Sequence, residues 1–280
     1  MKARQEVELP LASERPEIRS RAVLGVRVDS TTYPGASELI LSWASARQSR
    51  YVCVANVNNV MEAHDDPAYM TLMNEADLVT SDGMPLVWAL RMQGIDGAVR
   101  VYGPTLTAEL CAEAERRGTR VGFFGGSPEV LSEMIDRLKH QLPRLRIAYH
   151  ESPPFRPLSA QEDAAVISAI NASGAQMLFV GLGAPKQERW MAEHVGSIRA
   201  VMVGVGAAFD YIAGAKRQAP MLAQRAGLEW LFRLATEPKR LWKRYAKHNP
   251  RFVFLFARQL VQQRRRSKET LPVTREEAGR

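Results

Sequence analysis

The sequence predicts an α/β protein: a Rossmann-like, largely parallel sheet with helices on both faces, followed by a basic helical appendage. Two observations carry this. Apolar segments at Val121–Gly126, Gln176–Val180 and Val201–Gly206 each run into a glycine turn and alternate with helical segments. In an open parallel sheet such turns gather at the carboxyl ends of the strands, where ligands bind. The texture then changes after Gly214. Residues 1–215 carry 21 Lys/Arg and 25 Asp/Glu, whereas residues 216–268 carry 15 and 2.

In chain order, residues 1–20 are polar, contain two prolines and read as a disordered tail. Arg21–Val28 reads as one short strand and Gly35–Ala46 as a helix. Arg50–Ala55 is apolar and β-branched, hence a strand, and ends at Asn56. Asn58–His64 and Pro67–Glu75 read as helices, and Leu78–Thr80 as a strand ending at Ser81-Asp82-Gly83. Helices are expected over Pro85–Gln93 and Pro104–Arg117. Strand 120–125, helix 128–140, strand 145–149, helix 160–172, strand 176–181, helix 185–195 and strand 201–205 complete an α/β domain over residues 21–215. Ser127 and Pro128 suit the N-cap and first turn of the helix they open. Residues 216–268 form the appendage. Gly227–Leu234, Glu237–His248 and Arg251–Arg265 read as its helices, with Pro250 between the last two. Residues 269–280 are a second tail.

The 280 residues, 46% hydrophobic and 24% charged, are ordinary for a folded soluble protein. Cys53 and Cys111 sit in apolar contexts without metal-ligand spacing and read as buried thiols in a reducing compartment. His64, His140, His150, His194 and His248 show no ligand spacing either, so no metal is expected. Nothing resembles a signal peptide or a membrane span. The basic appendage calls for an anionic partner. Phe252, Phe254, Leu255, Phe256, Leu260 and Val261 interleave with Arg251, Arg258 and Arg264–Arg266, which suits an anionic membrane surface or a helix packed on its own domain with a solvated basic face.

The chemistry concentrates at the turns. Leu178–Trp190 reads as a strand, a turn through Gly181 and Gly183, and a helix opening at Pro185, with Lys186, Gln187 and Glu188 at the mouth of the turn. A helix N-terminus behind glycines suits a phosphate; an ordinary crossover with a solvated first turn reads equally well. Gly125, Gly126 and Gly206 offer the same opportunity. Asp82 is placed to act as a general base or to cap the next helix. Asn56 lies on the same sheet edge. Asp210 suits a ribose or sugar hydroxyl, or a helix start. Arg100 suits a phosphate, or a surface ion pair. A nicotinamide oxidoreductase is one alternative, although no turn is a full dinucleotide fingerprint followed by an acidic ribose ligand. A non-enzymatic membrane or nucleic-acid binder is another, although no nucleic-acid motif is present.

Asn56, Ser81-Asp82-Gly83, Arg100-Val-Tyr-Gly103, Phe124-Gly-Gly126, Val180 to Glu188 (VGLGAPKQE), Gly204 to Asp210 (GVGAAFD), Arg217-Gln-Ala-Pro220 and Gly227 to Arg233 (GLEWLFR) together resemble the WecG/TagA/CpsF glycosyltransferases, glycosyltransferase family 26, from about Val23 to Phe256. The wording of the VYGPTL and DGMPLVW segments is closer to exopolysaccharide members. The resemblance implies a bacterial inverting enzyme that uses a UDP-sugar. The acceptor would be a polyprenyl-diphosphate-linked saccharide, at the cytoplasmic face of the membrane, for exopolysaccharide, antigen or teichoic acid. Asp82 would be the general base, with Asn56 and Arg100 in the pocket. Gly125, Gly126, Gly181, Gly183, Lys186, Gln187, Glu188, Gly206 and Asp210 would hold the donor. Arg233, Arg240 and Lys243 would close over the diphosphate. No cofactor or metal is implied, cationic side chains neutralising the leaving UDP. Self-association of the α/β domain is a further implication. Two positions depart from the family: Val54 stands where a threonine is frequent, and Lys243 where arginine is.

Overall fold

A computed structural model describes residues 18–225 and 227–269. The two expected tails lie almost wholly outside the described residues. The chain enters through a hairpin, β1 (Ser20–Val23) and β2 (Val26–Asp29), paired antiparallel. This corrects the single strand expected over Arg21–Val28. Leu24 and Gly25 both take positive φ, which is the geometry of a tight two-residue hairpin turn.

Alternation then takes over: α1 (Tyr33–Ser45), β3 (Arg50–Ala55), α2 (Val57–Asp65), α3 (Pro67–Glu75), β4 (Leu78–Ser81), α4 (Met84–Met92) and α5 (Gly103–Arg117). β5 (Arg120–Gly125), α6 (Pro128–Gln141), β6 (Arg146–Glu151), α7 (Ala160–Ser173), β7 (Met177–Gly181), α8 (Lys186–Glu193), β8 (Val201–Gly204) and α9 (Ala208–Ile212) follow. Ser127 caps α6 as its sequence suggests, accepting from the Val130 amide. Pro185 stands one residue earlier than expected, at the cap of α8.

The eight strands form one sheet in the order β1-β2-β4-β3-β8-β7-β5-β6, parallel except for the β1–β2 hairpin. β3 and β8 are central and buried on both faces, which is why they read as unbroken apolar runs. Helices cover both sides, giving two apolar cores, one around Tyr69, Leu90 and Met202 and one around Ile40, Phe123 and Phe209. The chain leaves β3 toward one sheet edge and leaves β5 toward the other. At the carboxyl ends the direction reverses between neighbours β7, which runs on to β8, and β5, which runs on to β6, and ligands in such sheets bind along this edge.

The appendage holds α10 (Met221–Arg225), α11 (Glu229–Thr236) and α12 (Pro238–Glu269). α12 replaces the two helices expected on either side of Pro250, which lies inside it. An interior proline costs about 3 kcal/mol. Packing offsets that here. Phe252 and Phe256 stack on each other and are buried against the α/β core. Arg251 forks onto Asp65, and the Gln259 amide bonds the backbone of Ala22 and Leu24. The expected apolar stripe thus divides: Phe252 and Phe256 face inward, while Phe254 and Val261 stay exposed.

Candidate active site

Asp82 follows β4 directly, and its amide continues the ladder by donating to the Ala55 carbonyl at 2.8 Å. Its side chain does not cap α4, whose cap residue Gly83 has no side-chain bond. Instead Asp82 Oδ1 accepts from the amide of Gly103, the first residue of α5, at 3.3 Å. The positive end of a fifteen-residue helix therefore points at this carboxylate.

Arg100 is the second member. It is no surface ion pair, since its side chain is only 15% exposed. Nε donates to the Asp82 carbonyl, Nη2 lies 3.6 Å from Asp82 Oδ1 and 2.6 Å from Glu229 Oε2, and the guanidinium stacks over Tyr102 at 4.1 Å. Burial pushes the Asp82 carboxyl above the usual carboxylate range; Arg100 and Arg233 oppose that and Glu229 adds to it. A carboxylate shifted upward in a cleft is a better proton acceptor than an exposed one.

Asn56 caps α2 in a reciprocal box: its Oδ1 accepts from Asn58 N at 2.9 Å and its own amide donates to Asn59 Oδ1 at 3.2 Å. That leaves its Nδ2 hydrogens for a ligand. Asn56, Asp82, Arg100, Glu229 and Arg233 line one end of a cleft of about 820 Å³ between the sheet edge and the appendage. This volume is in the range of small-molecule sites, about 300–1,000 Å³. Asn58 Oδ1, Arg233 Nε, Arg244 Nε and His248 Nδ1 are buried in its walls without a hydrogen-bond partner. Buried polar atoms are normally paired, so these four mark where a polar ligand belongs.

The glycine turns lie along the same edge. A Cβ on Gly125 would stand 2.5 Å from the Gly181 carbonyl carbon, and one on Gly181 would stand 2.7 Å from the Phe209 ring. These two glycines let adjacent turns and Phe209 pack together. Gly183 and Gly206 have positive φ, and Gly183 faces open space. Gly126 donates to the Gly181 carbonyl at 3.2 Å. Lys186 is exposed at the start of α8.

Other expected residues sit differently. Gln187 and Glu188 are buried behind the turn, not at its mouth. Gln187 Oε1 accepts from the Gly183 amide at 3.1 Å, its Nε2 donates to Glu188 Oε1 at 2.9 Å, and Asn59 Nδ2 donates to the same oxygen at 3.2 Å. The pair thus braces the glycine turn against the Asn56 cap. Asp210, Lys216, Glu237 and Arg240 form a chain of ion pairs at 3.4, 3.7 and 2.6 Å, so Asp210 and Arg240 are joined across the seam to the appendage. Lys243 is exposed over the Trp242 ring, outside the cleft wall, and its neighbour Arg244 lines the cleft. Val54 packs near Gly103. Sequence reasoning assigned no role to Glu229, Tyr102 or Arg244. Glu229 lies in the GLEW segment, and its being one of only two acids in so basic a module, at the start of a helix, was the available signal.

Sheet and cleft together define an α/β protein with a ligand-sized cleft at the carboxyl edge of a mostly parallel sheet. The family model described as the glycosyl transferase WecG/TagA/CpsF family matches residues 21–266, and the chain belongs to that family. It is a glycosyltransferase; the oxidoreductase and non-enzymatic alternatives give way to that. The chain is 31% identical over 218 residues, 78% of its own length and 82% of the relative's, to an N-acetylglucosaminyldiphosphoundecaprenol N-acetyl-beta-D-mannosaminyltransferase of Bacillus spizizenii.

Proposed function

We propose that this glycosyltransferase moves a hexose or N-acetylhexosamine unit, neutral or uronate, from a UDP-sugar to a saccharide on a polyprenyl diphosphate, with inversion, in surface polysaccharide synthesis. The observation that carries the reading is Asp82, a buried carboxylate beside two arginines at the polar end of a large cleft. Asp82 takes the proton of the acceptor hydroxyl. The hydroxyl oxygen forms a bond to the anomeric carbon from the face opposite UDP. The bond from that carbon to the UDP oxygen breaks, and its electron pair leaves with the β-phosphate. Arg100 holds Asp82 in place. Asn56 offers amide hydrogens to the acceptor. The Gly181–Gly183 turn and Lys186 face the donor diphosphate, with cationic side chains supplying the neutralising charge and no metal assigned. Arg233 faces the acceptor diphosphate. The related enzyme's name, which contains both a sugar diphosphate and undecaprenol, supports the acceptor class.

No helix among the described residues is long and apolar enough to cross a membrane. Exposed Phe254, Val253 and Trp242 on the basic α12 support a peripheral place at the inner face of the cytoplasmic membrane. The test is UDP release with a panel of UDP-sugars and a polyprenyl-diphosphate saccharide. Asp82→Asn should lower kcat roughly 10²–10⁴-fold. Release that is independent of the lipid acceptor, or unchanged in Asp82→Asn, overturns the proposal.

A further inference from the structure

The cleft has a second part that the chemistry at Asp82 does not use. Two helices wall it. α4 contributes Met84, Trp88 and Met92, spaced by four, so that they follow one face away from Asp82. α12 contributes Val253, Phe256 and Leu260 on the opposite wall, again at helical spacing. At the near end Gly227 forms part of the wall, its backbone so tight on Trp88 that a Cβ would stand 2.7 Å from the ring. At the far end Gln93, just past α4, accepts from Gln263 Nε2 at 3.2 Å. With nine residues in α4, the arm is roughly 13 Å long.

This arm is apolar yet partly open: Trp88 is 42%, Met92 55% and Val253 67% exposed. Isolated exposed apolar side chains need no explanation, but a continuous apolar channel leading out of a polar site does. At the junction of the polar end and the arm stand the two guanidinium groups with buried, unpaired Nε atoms, Arg233 and Arg244. Planar, permanently charged guanidiniums are the side chains best matched to phosphate oxygens. Cationic charge at the head and an apolar channel behind it are complementary to one kind of ligand, an anionic head on a long hydrocarbon chain.

We infer that the arm between α4 and α12 seats the first isoprene units of the acceptor, and that Arg244, together with Arg233, holds the diphosphate where the chain begins. This rests on the acceptor reading above and extends it from the head group to the lipid. The arm then measures the acceptor: the sugar reaches Asp82 only when the diphosphate and the first isoprenes are in register behind it.

The test compares farnesyl diphosphate with methyl diphosphate by calorimetry, below the aggregation concentration of the former and without membranes. Wild type should bind the farnesyl compound at least on the order of tenfold more tightly. Met92→Glu and Val253→Glu, both at exposed positions on opposite walls, should each remove most of that ratio. A protein that folds poorly would lose affinity for both compounds in proportion, leaving the ratio intact. Arg244→Gln should weaken both compounds, with the ratio kept. Equal binding of the two by wild type, binding of neither, or a ratio that survives both glutamate variants overturns the inference. The outcomes separate it from the acceptor reading. UDP release that needs a polyprenyl acceptor, with no farnesyl advantage, leaves the reading standing and removes the arm. A farnesyl advantage with lipid-independent UDP release does the reverse.

Discussion

Arg100 Nη2 lies 2.6 Å from Glu229 Oε2 and 3.6 Å from Asp82 Oδ1, so one guanidinium joins the sheet-edge carboxylate to the appendage. All three side chains are at most 15% exposed. A buried pair of this kind contributes little net stability but is costly to break from one side. Its value here is positional: with the appendage docked, Glu229 reaches Arg100, and Asp82 then feels both charges.

That arrangement predicts opposite pH shifts for two substitutions. In the proposed mechanism Asp82 accepts the acceptor's proton only when ionised, so the acid limb of kcat/KM should follow its pKa. Glu229 raises that pKa and Arg100 lowers it. Glu229→Gln should move the limb to lower pH, and Arg100→Gln should move it to higher pH with a large loss of rate. A pH profile of both variants on the lipid acceptor checks this; shifts of the same sign would mean that Asp82 does not set the limb.

The glycine turns divide by mechanism. Gly181→Ala places a methyl group against the Phe209 ring, an overpacking cost of about 1–3 kcal/mol. Shortening the ring with Phe209→Leu in the same chain should recover part of it. Gly183→Ala meets no atom, and its cost of about 1 kcal/mol comes from positive φ alone. Urea unfolding of the two glycine variants, each with and without Phe209→Leu, separates the cases, because Phe209→Leu should not rescue Gly183→Ala.

Most of the α/β layering was legible because buried parallel strands are written as apolar runs closed by glycine. β3, α3 and β5 fall where the sequence puts them. The β1–β2 turn was hidden because Leu24-Gly25 is too short to interrupt an apolar segment. α12 was hidden because Pro250 is a strong local stop, overridden by long-range contacts from Phe252 and Arg251. At the site, Asp82 and Asn56 were legible as polar residues at strand ends, and Arg100 as a cation just ahead of the Tyr102-Gly103-Pro104 turn. The inward turn of Gln187 and Glu188 was not, since a short helix can present its first turn to solvent or to the core. Nor was the choice between Lys243 and Arg244, adjacent residues that differ by about 100° around α12.

Asp65 and Arg251 give the appendage a pH-sensitive tie. Arg251 donates to Asp65 at 2.9 and 2.7 Å and holds the carboxyl at a pKa of about 2. A depressed carboxylate pKa stabilises the fold above the unfolded value and loses that contribution as pH falls. Asp65→Asn should therefore lower the unfolding midpoint at neutral pH. The gap to wild type should close between about pH 4 and pH 2. Thermal scans across that window check it; a gap independent of pH would assign the loss to something other than the ion pair.

Glu188 tests the opposite sign. It is fully buried, Oε1 accepts from Gln187 and Asn59, and the Tyr69 hydroxyl also bonds the carboxyl. Burial pushes its carboxyl upward, against those hydrogen bonds. The native state then keeps a proton that the unfolded chain, with a glutamate pKa of about 4.3, has already released. Wild-type stability must fall as pH climbs from that value through the raised one. Glu188→Gln has no proton to lose and keeps an acceptor oxygen, so its stability relative to wild type should rise with pH over the same window. Glu188→Leu deprives its buried donors of their acceptor and should cost about 1–3 kcal/mol for each one left unpaired, at any pH. Because Gln187 also holds the Gly183 amide, the leucine variant should raise KM for the proposed UDP-sugar donor more than it lowers kcat. Urea unfolding from pH 4 to 8 (about that range), with steady-state kinetics on the same preparations, measures both. A constant difference between Glu188→Gln and wild type would mean that folding leaves this carboxyl's proton affinity unchanged.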